Sequence, residues 1–437
     1  MAKLLGAEGG SAFSRRGFLG LGVTAAAGAA LAACAPAGAS SGGGSSGGSS
    51  SGKELIVAST IGPEVIELLQ KHAADPLGIK LKQLTLNNET YASQIASAQN
   101  AGQPIDIVFQ TSGTIALMQS AGVEFEKLSS YVSGMDMTDL YDQDILSGSV
   151  DGDLYGLNYA PMCRAVAYRK DWASAMETPV TWGIDQFGEW ASSMNGSGQS
   201  AFGWEAKTGD PRALSNFLPL LWSAGGDLVK GDTGKYAPGF DEEQVATVMR
   251  FYSDMIHKYR VTPKDVAGWG YAETDGGFAN GTLGSYSTGT FVVLIAAQNP
   301  DASENIGVAP LVNLGTPKTF WESWAFMIHA NSKKKDAVWS FIEKVRSPEF
   351  QRVMVSGNDG SLSVLRSINA ELGDSVPGKF SELLPNAGVV QPINTQPFMD
   401  QLFFPAMQEI ALRGISPEQA AATVMSRAGN VVASLNG

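Results

Sequence analysis

The sequence predicts an α/β fold built as two lobes, and three observations carry that expectation. Strand and helix patterns alternate from residue 54 to residue 120. The strand runs are short and apolar, as in sheets covered on both faces. About 385 residues follow a Gly/Ser-rich stretch, too many for one ordinary core. The first strand is read at 54–59, after which Gly62-Pro63 opens a helix whose Val65, Ile66, Leu68 and Leu69 share a face. A strand at 79–86 and a helix at 88–100 follow, the latter with Tyr91, Ile95 and Ala98 on one side. Residues 104–109 form a buried-strand run before a helix near 113–120. Three such units specify a largely parallel sheet, whose ligands sit beyond the carboxyl ends of the strands. That rule singles out Thr60, Gln110, Thr111 and Ser112.

Further along, Asp151-Gly152 marks a tight turn, and residues 164–170 return as a strand. Helices are read at 213–224, 242–259 and 331–345, the last with Lys333-Lys334-Lys335 as a solvated first turn. Two more, parted by Arg413-Gly414-Ile415-Ser416-Pro417, fill 397–434. The spacing Asp151-x-Asp153-x-x-Gly156 falls short of a calcium loop, because Tyr155 and Met162 stand where oxygen ligands belong.

The first 52 residues read as an address. Ser14-Arg15-Arg16-Gly17-Phe18-Leu19 opens an uncharged apolar run to Ala33, too short and too rich in Ala and Gly for a spanning helix. The paired arginines resemble a twin-arginine export signal, and Leu31-Ala32-Ala33-Cys34 resembles a bacterial lipobox. Those resemblances imply cleavage after Ala33 and lipidation of Cys34, leaving the protein exported and held by its acyl chains on the outer face of the cell membrane. From residue 38 to 52, 14 of 15 residues are Gly or Ser, a flexible tether. The G-x-S-x-G and G-x-G-x-x-A matches in this region lie between no strand and helix, so they carry no chemistry.

Charge and composition exclude several classes. The chain has 30 Lys+Arg, 43 Asp+Glu, 3 His and 2 Cys, with a net charge of −13. Removing residues 1–33 takes away three positive charges and one negative, giving −15. Such acidity argues against nucleic acid and against adsorption to anionic lipid, so contact with the membrane is expected through the anchor only. So few His and Cys leave little for a Cys/His metal site or a disulfide framework, and no metal or cofactor is expected.

Segments after the tether resemble, in order, those of the family-1 extracellular solute-binding proteins, the branch that contains maltose-binding protein. Ile105-Asp106-Ile107-Val108-Phe109 with Ser112-Gly113-Thr114 resembles the family's "DVVF..SGT", and Val150-Asp151-Gly152-Asp153-Leu154-Tyr155-Gly156-Leu157 resembles "VDGKLYGL". Tyr168-Arg169-Lys170-Asp171, the run from Asn216 to Asp227, Phe278-Ala279-Asn280-Gly281, Gly307-Val308-Ala309-Pro310-Leu311 and Ser347-Pro348-Glu349-Phe350-Gln351 continue the match. The resemblance implies a type II periplasmic-binding-protein fold, a hinge crossed several times, and a monomer that delivers a small-molecule solute to the permease subunits of an ABC importer. By it, lobe 1 covers 53–161 plus 310–347 and lobe 2 covers 165–307 plus 350–437. The crossings fall near 162–164, 309–310 and 347–349.

A sugar offers hydroxyl edges and apolar C–H faces, so its site needs aromatic rings beside amide and carboxylate groups. Trp321-Glu322-Ser323-Trp324 is the densest such run, with Glu322-Ser323 standing where the family commonly has Gly-Gly; a buried strand is its alternative reading. Trp204-Glu205 begins a loop and lies near the family's acidic sugar ligand, with an ordinary exposed Glu as the alternative. Trp269 and Tyr271 are flanked by glycines, and Thr288 and Phe291 occupy the slot of the family's "NGPW". Phe398 and Asp400 complete the set, while Trp222 and Cys163 read as core. The chain is therefore expected to be a non-catalytic receptor for a carbohydrate such as an oligosaccharide. A glycoside-acting enzyme using Glu205 and Glu322 stays open, as does a receptor for polyamines or glycerophosphodiesters. Phosphorylated ligands are disfavoured, since Arg and Lys look sparse around the proposed cleft.

Overall fold

A computed structural model describes residues 53–436 apart from Glu89, 174–180, 197–199 and 358–359; the export signal, Cys34 and the tether lie outside the described residues. Five strands form the first sheet, in the order Ile79–Thr85, Lys53–Ser59, Ile107–Thr111, Glu322–Ile328, Gly156–Met162. The first three are mutually parallel, and Glu322–Ile328 runs antiparallel to both of its neighbours. Leu55, Val57, Ile107 and Phe109 pack on one face with Phe326, Ile328, Phe341 and Ile342. Helix Pro63–Leu69 continues through a wider turn, Gln70–Ala74, that buries Ala73 and Ala74 in the same core.

Two expected boundaries move for one reason. The strand read at 104–109 is Ile107–Thr111, because the Asp106 carboxylate, not its backbone alone, engages the neighbouring strand. Its Oδ2 accepts from Ile56 N at 2.9 Å and Lys334 Nζ at 3.0 Å, and its Oδ1 from Ser332 Oγ at 2.7 Å. Lys334 is thus paired with Asp106 while it stays exposed to solvent, and the helix read from 331 starts at Lys335. The helix read from 88 starts at Tyr91, since Gln94 Oε1 accepts from Asn87 N and holds the entry as a turn.

The second sheet has three strands, Ser285–Thr288, Ala165–Arg169 and Ile306–Ala309, all antiparallel. One face meets a large core of Phe187, Phe202, Phe217, Val248, Phe403 and their neighbours. The other meets Phe278, Val292, Leu362, Phe380 and Leu384. Asp151 and Gly152, at φ 50° and 84°, join Ser149–Val150 to Asp153–Leu154, the double positive φ that a two-residue hairpin turn requires.

The chain leaves the first sheet at Met162 and enters the second at Ala165, with only Cys163 and Arg164 between. The return falls later than 309–310. Leu311 and Val312 are still in the second core, and Thr319–Phe320 pairs with Ala387–Gly388 before Glu322 joins the first sheet. The next departure also falls later than 347–349. Ser347 and Pro348 start a helix, with Ser347 Oγ accepting from Phe350 N, and that helix buries Phe350 and Met354 in the first core. Leu362, Phe380 and Leu384 pack on the second sheet, while Val364, Leu365 and Ile368 between them pack with Leu140.

Cys163 is fully buried at the first crossing, its thiol donating to Phe380 O at 3.2 Å. Burial pushes that thiol up to about 12. Since the thiolate is the nucleophile, Cys163 should stay unmodified by Ellman's reagent at pH 8 in the folded protein and react fully in guanidinium. Modification of the native protein at the rate of free cysteine would contradict this placement.

Candidate functional site

The carboxyl ends of the first sheet's parallel strands bring four of the expected residues together. Ser59 Oγ donates to Phe109 O and accepts from Ile61 N, fixing where the first strand ends. Thr60 then lies beside Gln110, whose Nε2 donates to Thr60 Oγ1 at 3.1 Å. Thr111 stands opposite Trp324 across the ladder, and Ser112 opens the tight turn Ser112–Thr114. Trp324 is half-buried, its ring 5.4 Å from that of Phe109. Glu322 precedes it by two residues and so shares its side of the strand.

Glu322 joins this group to a second one. Arg164, just past the first crossing, donates from Nη2 to Glu322 Oε2 at 2.6 Å and from Nε to Ser215 Oγ at 2.8 Å. The arginine side chain is 3% exposed and the glutamate 34%. Its remaining nitrogen, Nη1, has no partner among the described residues. A Cβ on Gly289 would stand 2.8 Å from that nitrogen, so only glycine leaves room there. The Arg164 guanidinium lies 5.6 Å from the Phe291 ring centre, and Arg212 lies 4.6 Å from the same ring and 4.7 Å from that of Tyr271. Glu322, Arg164, Phe291, Arg212 and Tyr271 thus form one continuous chain of contacts from the first sheet across to the second lobe's helices.

Several expected site residues are elsewhere. Trp204, Trp321, Thr288 and Phe398 are buried and present no face to a ligand. Trp204 packs against Phe202 and Tyr252, Trp321 against Tyr141, and Phe398 sits in the second core, so these large apolar groups face inward. Glu205 is buried too, not an exposed loop carboxylate. Its Oε2 accepts from Asn216 Nδ2 at 2.7 Å and its Oε1 from Thr274 Oγ1 at 3.0 Å. Trp269 is half-buried against Gly203, while its carbonyl accepts from Ala206 N and Lys207 N, so it props a loop. Asp400 holds another, accepting from Gly209 N at 2.9 Å and from Gln396 Nε2 at 3.1 Å. Trp222, read as core, is only half-buried; its ring stacks on Phe320 and its Nε1 donates to Asp227.

The expectation of few cations here is corrected: Arg164 and Arg212 are both present. Each is already paired, Arg164 with Glu322 and Arg212 with Asp275 through two bonds of 2.9 and 2.8 Å, so neither brings net positive charge. The residues missed by sequence reasoning are these two arginines and Asp275. One signal existed: Arg164 is the lone charge in the apolar run 159–168, and a charge inside such a run is rarely free.

Burial raises the Glu205 carboxyl above its ordinary range, against the opposing field of Arg212. A carboxyl raised in the folded state contributes most stability below its unfolded value and loses it as pH rises through the folded one. Glu205→Gln, whose amide can donate to Thr274 while its oxygen accepts from Asn216, should therefore flatten that decline. Its melting temperature should gain on wild type from pH 5 to pH 8; a variant that loses ground with rising pH would overturn the assignment.

Residues 63–352 match the family described as bacterial extracellular solute-binding protein. The chain belongs to that family. Solved structures of such proteins share the two-lobe fold. One from Thermotoga lettingae, bound with α-D-tagatose, superposes with a TM-score of 0.70 at 21% identity, covering 88% of this chain and all of that one (100%). The cyclic α-maltosyl-1,6-maltose binding protein of Arthrobacter globiformis gives 0.72 at 18% identity, over 88% of this chain and 98% of that one. The sugar-binding protein MalE of Xanthomonas citri gives 0.72 at 18% identity, over 87% and 98%. As a bacterial extracellular solute-binding protein, this chain is exported and works by binding.

Proposed function

We propose that this solute-binding protein captures a carbohydrate, an oligosaccharide first among the candidates, between its two lobes and hands it to the permease subunits of an ABC importer. The observation that carries the reading is the contact chain from Glu322 to Tyr271, which sets a partly exposed carboxylate and two aromatic rings around the junction of the sheets. Stacking faces beside a charge-assisted acceptor suit a neutral polyhydroxylated ring. The sugars named for the Thermotoga and Arthrobacter proteins favour the same class. We place the first lobe over 53–161 and 322–355 and the second over 165–314 and 362–437, with hinge closure of the kind such two-lobe proteins use. Lipidation at Cys34 would keep the receptor at the outer face of the membrane.

The receptor has no catalytic role. The glycosidase alternative needs two carboxylates facing one glycosidic oxygen, and Glu205 is buried with both oxygens engaged. A thermal-shift screen over mono- and oligosaccharides, polyamines and glycerophosphodiesters tests the proposal, followed by calorimetry and recovery of the ligand. A stoichiometric heat with the sugar recovered unchanged is expected. Shifts from polyamines alone, or turnover of a glycoside, would overturn it.

A further inference from the structure

Arg212 occupies a position that ligand contact alone does not explain. It immediately precedes helix Ala213–Ser223, where its N and that of Ala213 both donate to Asp210 Oδ1, at 2.9 and 3.0 Å. The other oxygen of Asp210 accepts from Tyr271 N at 2.8 Å, so one carboxylate ties together the starts of Ala213–Ser223 and Tyr271–Ala279. A Cβ on Gly270 would stand 2.7 Å from that oxygen, leaving the junction no room for a side chain. Asp275, one turn beyond Tyr271, takes both terminal nitrogens of Arg212, and Tyr286 Oη donates to the same carboxylate at 3.0 Å. Arg212 and Asp275 are almost wholly covered, at 13% and 11% exposure.

A guanidinium neutralised and fixed in this way has little left to offer a solute directly. What it does have is a ring on either contact: its central carbon lies 4.7 Å from the Tyr271 ring centre and 4.6 Å from that of Phe291. The two rings come from different elements, Tyr271 from the first turn of one helix and Phe291 from the residue before Val292–Ala296. Helices Tyr271–Ala279 and Val292–Ala296 also pack against each other, and the shared cation keeps the two ring centres within about 9 Å. Tyr271 is nonetheless 39% exposed.

We infer that Arg212 is a positioning residue: it sets Tyr271 and Phe291 as two adjacent stacking faces for one bound carbohydrate and acts on affinity through those rings. The inference rests on the carbohydrate reading above. Lysine cannot replace it, because an ammonium lacks the planar fork that meets Asp275 twice and lies flat against a ring.

The test uses the best sugar from the thermal-shift screen, with dissociation constants by calorimetry on the full chain. R212K should weaken binding by about 10-fold, and Y271A and F291A by a similar factor each. In the Y271A/F291A background, R212K should change affinity by less than about 2-fold, since the rings through which it acts are gone. Because an isolated change at Arg212 strands a buried Asp275, and loss of Asp275 strands the buried Tyr286 hydroxyl, R212M/D275L/Y286F is measured alongside. Replacing a buried pair by apolar groups is often neutral for stability, so this variant should melt as wild type does and still lose about 10-fold in affinity. Losses that multiply in the ringless background, or R212K binding as wild type, would overturn the role of Arg212 and leave the carbohydrate reading standing. A wild-type protein that binds no sugar would overturn both.

Discussion

Asp144→Ala should be among the most damaging single substitutions in the first lobe, lowering stability by about 3–5 kcal/mol and the melting temperature by on the order of 10 °C. Asp144 and Arg346 form an ion pair whose side chains are 0% and 3% exposed, joined by bonds of 2.5 and 3.2 Å. Asn158 Nδ2 donates to the same carboxylate and Arg346 Nη1 donates to Asn158 O, which links a helix, a strand of the first sheet and the end of Lys335–Val345. The cost arises less from the lost attraction than from what remains, a buried guanidinium with no counter-charge. Arg346→Met should therefore be about as damaging as Asp144→Ala, whereas Asp144→Leu with Arg346→Met should recover much of the loss. Thermal unfolding of the four proteins decides it. A double variant as unstable as either single one would show that the pair itself, not the orphaned charge, stabilises the lobe, and additive losses would show that the two residues do not couple.

How much of this was legible in the sequence depends on whether the information is local. Parallel units in 53–111 follow from periodicity and from Pro63 at a helix start, and the double positive φ at Asp151-Gly152 follows from residue type alone. Sheet membership further on does not. Residues 310–314 look like a departure because Pro310 ends a strand, yet Leu311 and Val312 pack where the second core has space for them. Ser347-Pro348 looks like a hinge and is a helix start, a confusion built into the chemistry, since Ser before Pro serves both. The site divides in the same way. Strand-end residues such as Gln110 and Thr111 were reachable from the topology rule. Trp204 and Trp321 were not separable from Tyr271 and Trp324, because an aromatic side chain suits a core and a stacking face equally well, and only packing from distant segments assigns it. Arg212 was beyond reach, as its partners Asp275 and Phe291 lie 63 and 79 positions away.

Glu322→Ala should weaken carbohydrate binding by roughly 10- to 100-fold, the equivalent of one hydrogen bond to a charged group. Arg164 holds Oε2 of this carboxylate in place, and its side chain remains a third exposed, so the group is oriented without being shut away. A preorganised acceptor loses little freedom on binding, which is why its removal should register in affinity. The same substitution leaves Arg164 with Ser215 as its remaining side-chain partner, but the stability cost should be smaller than at Asp144, because water already reaches the Glu322 side of the pair. The two positions therefore make opposite expectations for one pair of measurements. Asp144→Ala should depress the melting temperature and, at a temperature where it is folded, bind sugar nearly as wild type does. Glu322→Ala should melt within a few degrees of wild type and bind poorly. Glu322→Gln, which keeps an acceptor oxygen but no charge, should fall between wild type and Glu322→Ala. If Glu322→Ala binds with unchanged affinity while melting early, the carboxylate serves the hinge alone, and the ligand lies nearer to Trp324 and the strand ends of the first sheet.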